Sequence, residues 1–231
     1  MMRPYLIFSL TAALGAMGEL AGHERRGSLV WPGRSAILGL LGAAMGIDRT
    51  GDFSVLDALD LAVAVFDNGA PLRDYHTVET VPSAAAKRPN SRPEALAAAR
   101  GRTKTTITLR DYRVGTLYGV AVWGDELQAL ADALARPHYT LYLGRKSCPL
   151  AAPPGARVVE AETPEEALAN LSLPPWRRLD RHGNPATART LIYGAAEGET
   201  IHDVPADRRL WHFAPRLVEV RNVEIVAGGA T

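Results

Sequence analysis

Residues 4 to 10 alternate apolar and β-prone side chains, and this period of two predicts a first strand. A glycine-rich connection follows, with Gly15, Gly18 and Gly22, and runs into the charged HERR of residues 23–26. At Trp31-Pro32-Gly33-Arg34-Ser35 proline and glycine break the chain, and Ser35 offers an oxygen that can accept from first-turn amides. The run beyond it, with Ile37, Leu38, Leu40, Leu41 and Met45 among Gly39, Gly42, Ala43 and Ala44, reads as a buried helix. Each glycine there costs about 1 kcal/mol of helix propensity relative to alanine. Close approach to a sheet or a neighbouring backbone would explain them.

Residues 61–66 form a short apolar run ending in Asp67-Asn68-Gly69, a turn signal, so a second strand is expected. Asp74 to Val78 is a candidate third strand. From Pro82 to Arg110 seven basic residues stand against one acid, Glu94, a local charge of +6 with three prolines and an alanine-rich middle. That composition predicts a mobile arm or insertion. Thr105 to Tyr112 and Thr116 to Trp123 are two β-prone runs separated by Arg113-Val114-Gly115, read as a long hairpin with a basic base.

Asp125 to Ala135 has apolar residues at 127, 130, 131 and 134, the spacing of an amphipathic helix, and Pro137 stops it. Val158 to Glu162 suggests another strand, and Thr163-Pro164-Glu165-Glu166 starts a short helix ending near Leu171. Beyond Pro174 loops and short strands are expected, the clearest at Leu191 to Tyr193 and Leu217 to Val220. The resulting order is that of an α+β, ferredoxin-like βαββαβ domain, a single unit over residues 1–231 with a hairpin insertion and a β-rich tail from about residue 174. One sheet of this type leaves a face open, as in RNA-recognition domains.

Composition narrows the function classes. The chain of 231 residues is 47% hydrophobic and 22% charged, enough to bury a core, and 26 Lys+Arg against 25 Asp+Glu leave a formal charge of +1. Any polyanion-binding face is therefore local. The single cysteine, Cys148, excludes an internal disulfide and a cysteine-built zinc site and fits a reducing compartment. Residues 5–18 resemble a signal-peptide core, but only one basic residue, Arg3, precedes them and the run continues through glycines into charged residues, so a buried first strand leaving into a glycine-rich turn is the expected reading. Ile37 to Ile47 falls short of the roughly 20 residues of a spanning helix. A cytoplasmic protein without membrane association is expected.

Enzymatic motifs are weak. Neither G-x-x-x-x-G-K-[ST] nor G-x-G-x-x-G occurs, and Gly101-Arg102-Thr103-Lys104-Thr105 lacks the upstream glycine of a phosphate loop. The histidines at 23, 76, 138, 182, 202 and 212 have no H-x-x-x-H or H-E-x-x-H spacing. No cofactor or metal is expected. Ser147-Cys148-Pro149 lacks a nucleophile elbow, and Cys148 reads as a packed residue. Binding chemistry is better represented. In Tyr139 to Leu150, Tyr142 precedes Gly144, Arg145, Lys146 and Ser147, combining an aromatic for stacking, a glycine for close backbone approach, and charge for phosphate. A plain solvated turn is the competing reading. Tyr75 and His76 add an aromatic and an imidazole, or a satisfied strand-edge pair. Lys104, Arg110 and Arg113 on the arm could clamp nucleic acid.

Three blocks in this order resemble one family: Gly33-Arg34-Ser35 with Ile37-Leu38-Gly39-Leu40-Leu41-Gly42-Ala43 and Met45-Gly46-Ile47; Asp74-Tyr75-His76-Thr77-Val78; and Tyr139 through Leu150. The chain is similar, over roughly residues 3–170, to the CasD subunits of type I-E CRISPR Cascade complexes, of the RAMP superfamily, which hold the five-prime handle of the guide RNA. The resemblance implies a non-catalytic RNA-binding role in antiviral defence. It also implies a β-hairpin thumb within about residues 78–120, and partners comprising the CRISPR RNA handle, the CasC backbone, the large CasA subunit and, through the assembly, target DNA. Carried over by position, Arg34, Ser35, Tyr75, His76, Lys104, Arg110, Arg113, Tyr142, Gly144, Arg145, Lys146 and Ser147 are the expected RNA contacts. The proline- and alanine-rich stretch before Lys104 departs from the family pattern. The alternative function is a metal-independent endoribonuclease processing precursor CRISPR RNA, as in type I-C, for which His76, Tyr75, Lys104 or Lys146 would supply acid and base.

Overall fold

A computed structural model of the chain describes residues 1–19, 24–210 and 212–228, so Gly22 and His23 of the glycine-rich connection lie outside the described residues. The protein is a mixed α/β chain with a mostly antiparallel sheet and few helices. In chain order the elements are β1 (Arg3–Gly15), β2 (Arg25–Arg26), α1 (Arg34–Met45), α2 (Ser54–Asp57), β3 (Asp60–Asp67), β4 (Ala70–Thr80), α3 (Arg92–Ala99), β5 (Lys104–Trp123), α4 (Leu127–Ala135), β6 (Arg157–Ala161), α5 (Pro164–Ala169), β7 (Thr187–Asp207) and β8 (His212–Val226). The sheet runs β6-β1-β5-β3-β7-β8, with β2 and β4 joined to β5 off this path.

β1 is a near-continuous apolar run because both its faces are covered. Leu6, Phe8, Leu10 and Ala12 join Val63, Val120 and the apolar stripes of α1 and α4 in one core. Tyr5 and Ile7 face the other way, with Ala62, Ala64, Leu117 and Ala121, under Leu168, Leu171 and Leu173 and the roots of β7 and β8. The expectation of an open sheet face is therefore corrected. The segment from α5 to Leu173 closes it, and small residues on that side make room: a Cβ on Gly119 would stand 2.9 Å from Leu171.

The two β-prone runs around Arg113-Val114-Gly115 are not a hairpin. They form one twenty-residue strand, β5, whose second half is claimed by β1 and β3 and whose first half pairs with β4 from Thr80↔Lys104 to Ala70↔Val114. The Asp67-Asn68-Gly69 signal reverses nothing either, because β3 and β4 are both antiparallel to β5 and run on collinearly. It makes a kink: Gly69 sits at φ +68°, and a Cβ there would meet the Val114 carbonyl oxygen at 2.4 Å. The true reversal is the arm at residues 81–103. Eleven paired residues of β4 give the resulting two-stranded ribbon a length of about 35 Å.

The basic arm holds a helix, α3, begun by Ser91, whose hydroxyl accepts from the Glu94 N–H while the Glu94 carboxylate accepts from the Asn90 N–H. α5 starts as read, with the Thr163 hydroxyl accepting from the Glu166 N–H. The tail departs from the reading: β7 and β8 form a long hairpin with register shifts, including one between Gly194 and Glu199. Gly42 of α1 is approached by the Phe53 ring, not by a backbone, and Gly39 has open space beside it.

Candidate nucleic-acid interface

Where the ribbon leaves the sheet, β2 pairs in parallel with β5, Arg25 opposite Leu109 and Arg26 opposite Arg110. On the opposite edge of β5, Arg73 of β4 stands across from Asp111. The Asp111 carboxylate takes two hydrogen bonds from Arg25, at 2.9 and 2.8 Å, and two from Arg73, at 2.7 and 3.1 Å. Arg73 foremost, and Arg25 with it, overcome the opposing burial and hold the Asp111 carboxyl at about 2, below its ordinary 3.8. Asp111 is 15% exposed, whereas Arg25 and Arg73 are 59% and 42% exposed. The acid is used up and the outer faces of both guanidiniums are left to solvent.

The Tyr139–Leu150 segment docks on the end of β1. The Ala16 N–H donates to the Leu143 carbonyl at 3.1 Å, and Leu143 and Cys148 close the turn through an N–H to carbonyl bond of 2.8 Å. Gly144 has φ +83°, and a Cβ there would lie 1.6 Å from the Ala16 carbonyl oxygen. This glycine is required by the chain's own β1. Its amide donates to the Tyr142 carbonyl at 3.2 Å. Cys148 is fully buried, in keeping with a packed residue. The Arg145 guanidinium lies over the Tyr112 ring, 4.5 Å from its centroid, and reaches the carbonyls of Arg26 at 3.3 Å and Asp111 at 3.5 Å. Lys146 and Ser147 are left exposed on the turn, beside a half-exposed Tyr142.

Strand alternation sorts the ribbon residues onto two faces. Tyr75, 69% exposed, shares a face with Arg73, Leu109 and Asp111, whereas His76 lies on the other with Arg110 and Lys104. Tyr75 and His76 therefore do not converge. Arg110 has a buried Nε without a hydrogen-bond partner. Lys104 lies about 20 Å along the strand from it, toward the arm. Arg113 donates to the carbonyls of Asn68 and Gly69, at 2.8 and 2.6 Å, and so fixes the β3–β4 kink.

Arg34 and Ser35 sit elsewhere. Gly33, not Ser35, is the residue before α1, and the cap comes from a residue that sequence reading missed: the Asp203 carboxylate of β7 accepts from the Arg34 N–H at 2.6 Å. Asp203 is 3% exposed and is held by Arg216 through bonds of 2.6 and 2.9 Å. The Arg34 guanidinium donates to the Leu59 and Asp57 carbonyls at 2.6 and 2.7 Å, so two of its donors are spent within the protein. Burial, and then Arg216, lower its pKa.

Arg25, Arg73 and Asp111 were also missed by sequence reading. Their only signals are the HERR charge run and the matching offsets of Arg73 and Asp111 along two strands. Among the described residues no group of three or more His, Cys, Asp or Glu side chains could hold a metal ion, and no helix is long and apolar enough to cross a membrane.

The family model of the CRISPR-associated protein (Cas_Cas5) matches residues 5–219. Among curated proteins, the chain is similar to the CRISPR system Cascade subunit CasD of Escherichia coli (strain K12), 35% identical over 188 residues, covering 73% of this chain and 77% of that one. Among solved structures it is similar to a chain of a CRISPR RNA-guided surveillance complex, with a TM-score of 0.73 and 28% identity over 96% of this chain and 91% of the other. A crystal structure of a Cas protein follows, with a TM-score of 0.65 and 27% identity over 98% and 100%.

Proposed function

The chain belongs to the CRISPR-associated Cas5 family, and from that premise we propose that it is a non-catalytic RNA-binding subunit of a Cascade-type surveillance complex, capping the five-prime handle of CRISPR RNA. The observation that carries this reading is the root of the ribbon. There Arg25 and Arg73 pair with Asp111 on one face of the ribbon while Arg110 and, over Tyr112, Arg145 lie on the other, with Arg26 beside Arg110 and Lys146 next along the turn, cations drawn from four separate segments on a chain whose net charge is only +1. A guanidinium already oriented by a carboxylate or a ring presents a fixed fork to a phosphate and loses little freedom on binding. Arg25, Arg73 and Arg145 are held in this way. The orphaned Nε of Arg110 is a donor in want of an acceptor. Exposed Tyr75 and Tyr142 supply stacking surfaces.

In this reading the core is a ferredoxin-like βαββαβ unit, since β1, α1, β3, the second half of β5, α4 and β6 follow that order, and the whole chain is one RAMP-like domain. The ribbon of residues 70–114 is the thumb, somewhat earlier in the chain than the 78–120 expected. The protein works in the cytoplasm, beside CasC backbone subunits and the large CasA subunit, and meets target DNA through the assembly. Arg34 and Arg113 are structural in this scheme. The endoribonuclease alternative is less well supported, because Tyr75 and His76 face opposite ways and Lys104 is about 14 Å along the ribbon from His76.

The test is to incubate the purified full chain with end-labelled CRISPR repeat RNA in chelator, on native and denaturing gels in parallel. A shifted, uncut RNA is the expected result. A specific cut would make the chain a processing enzyme and overturn the non-catalytic assignment.

A further inference from the structure

The outer edge of β1 carries more than the Gly144 turn. β6 pairs with β1 only as far as Ile7. Beyond that, the edge is taken by the segment after the turn: the Ala151 N–H donates to the Thr11 carbonyl and the Ser9 N–H to the Pro154 carbonyl, both at 2.8 Å. From Ala16, where the turn docks, to Thr11 is about 17 Å along the strand. A cleft of about 300 Å³ opens at this place, walled by Pro153, Gly155, Ser172, Pro174, Trp176 and Arg178. That volume is at the small end of the roughly 300–1,000 Å³ range of small-ligand clefts.

Trp176 is 63% exposed, and neighbouring Leu179 is 58% exposed. The backbone under the indole is nevertheless fixed. Next to it, Arg177 donates to Asp67 at 3.0 Å and to the Gly115 carbonyl at 3.1 Å, at the root of the ribbon. On the other side, Arg178 lines the cleft and is steadied by the Leu173 carbonyl at 3.3 Å. Of the acids nearby, Asp67 is held by Arg177, and Asp180 is turned into its own loop, accepting from the N–H groups of His182 and Asn184 at 2.8 and 2.9 Å. Arg178 thus leaves the rim cationic beside an exposed aromatic.

We propose that this cleft receives one unpaired base of the RNA strand bound at the ribbon root, stacked on Trp176, with the Arg178 side chain toward its phosphate. The inference rests on the RNA-binding reading above. It extends the contact surface along the β1 edge to residues outside every motif of the sequence. Charge complementarity and continuity favour this occupant: an exposed indole on a fixed backbone beside the Arg178 guanidinium suits a base with its phosphate, and the 142–154 segment connects the two places without a break.

The experiment uses the full chain with fluorescein-labelled single-stranded CRISPR repeat RNA. Trp176→Ala is expected to weaken binding about 5- to 150-fold, the span of one base–aromatic stack. Trp176→Phe, which keeps a ring, should retain most of the affinity but lose the quenching of tryptophan emission that RNA produces in the wild type. Arg145→Ala serves as the reference for the root. If Arg145→Ala weakens binding and Trp176→Ala does not, the inference falls and the RNA reading stands. An unchanged RNA affinity combined with lost capture of the other complex subunits would assign the cleft to a protein partner and overturn the inference. A wild-type chain that binds no RNA would overturn both.

Discussion

Replacing Gly144 by alanine tests whether the turn is held by β1 in the way the geometry requires. Two costs add. A left-handed conformation in a residue with a Cβ costs about 1–2 kcal/mol, and Gly144 lies at φ +83°. The new Cβ would also stand 1.6 Å from the Ala16 carbonyl oxygen, a contact that only backbone movement can relieve. The movement strains the Ala16–Leu143 hydrogen bond, worth about 1 kcal/mol. A loss of about 3 kcal/mol follows, or a Tm lower by about 6–12 °C for a chain of this size. Because Arg145 follows directly, its seat on the Tyr112 ring is displaced too, and RNA affinity should fall with stability. Calorimetry measures the first effect, and fluorescence anisotropy at a temperature where both proteins are folded measures the second. A Gly144→Ala protein melting within about 2 °C of wild type would refute the reasoning, since no relaxed turn with that Cβ leaves Ala16 in place.

Three further outcomes are expected. Gly39→Ala, in the middle of α1 with open space beside it, should stabilise the protein by about 1 kcal/mol, an opposite sign to Gly144→Ala that thermal melts will resolve. Asp111 has a folded pKa of about 2 below an ordinary 3.8, so its stabilisation is present above pH 3.8 and is lost as pH falls toward 2. The shift sets a ceiling of about 2 kcal/mol, which the 59% and 42% exposure of Arg25 and Arg73 reduces to about 1 kcal/mol. Asp111→Asn should therefore be less stable than wild type at pH 6, with about half of the gap closed by pH 3 in urea titrations, and a constant gap across that range would contradict the ion-pair account. Asp203→Ala leaves Arg216 without its carboxylate and the α1 N-terminus uncapped, and should cost about 3 kcal/mol in the same titrations.

The parts of the fold legible in the sequence were those set by local pattern. α4 declares itself by the three-four spacing of Leu127, Leu130, Ala131 and Leu134, and α5 by Thr163-Pro164-Glu165-Glu166. Non-local choices were hidden. Arg113-Val114-Gly115 has the composition of a turn, yet β1 and β4 on either side hold Arg113 and Val114 in the strand, Gly115 at φ +74° makes a kink and not a reversal, and the reversal happens at a helix-bearing arm. The length of β7 and β8 was invisible because Gly194, Gly198, Pro205 and Pro215 punctuate a hairpin that absorbs them in bulges and register shifts. The candidate site divides in the same way. The Gly144 turn stands out in the sequence because glycine, cations and tyrosines are adjacent there. Asp111 and Asp203 do not, because each acts on arginines distant along the chain, Asp111 on Arg25 and Arg73, Asp203 on Arg216.

The central claim, that the ribbon root neutralises RNA phosphates, is tested most directly by the salt dependence of binding of single-stranded repeat RNA to the full chain. Each neutralised phosphate contributes about −0.7 to the slope of log affinity against log salt for a single strand. The wild type is expected to show a steep negative slope, and Arg25→Ala, Arg73→Ala and Arg145→Ala should each flatten it by about 0.7. A flat wild-type response, or slopes that none of the three substitutions changes, would contradict phosphate binding at this site.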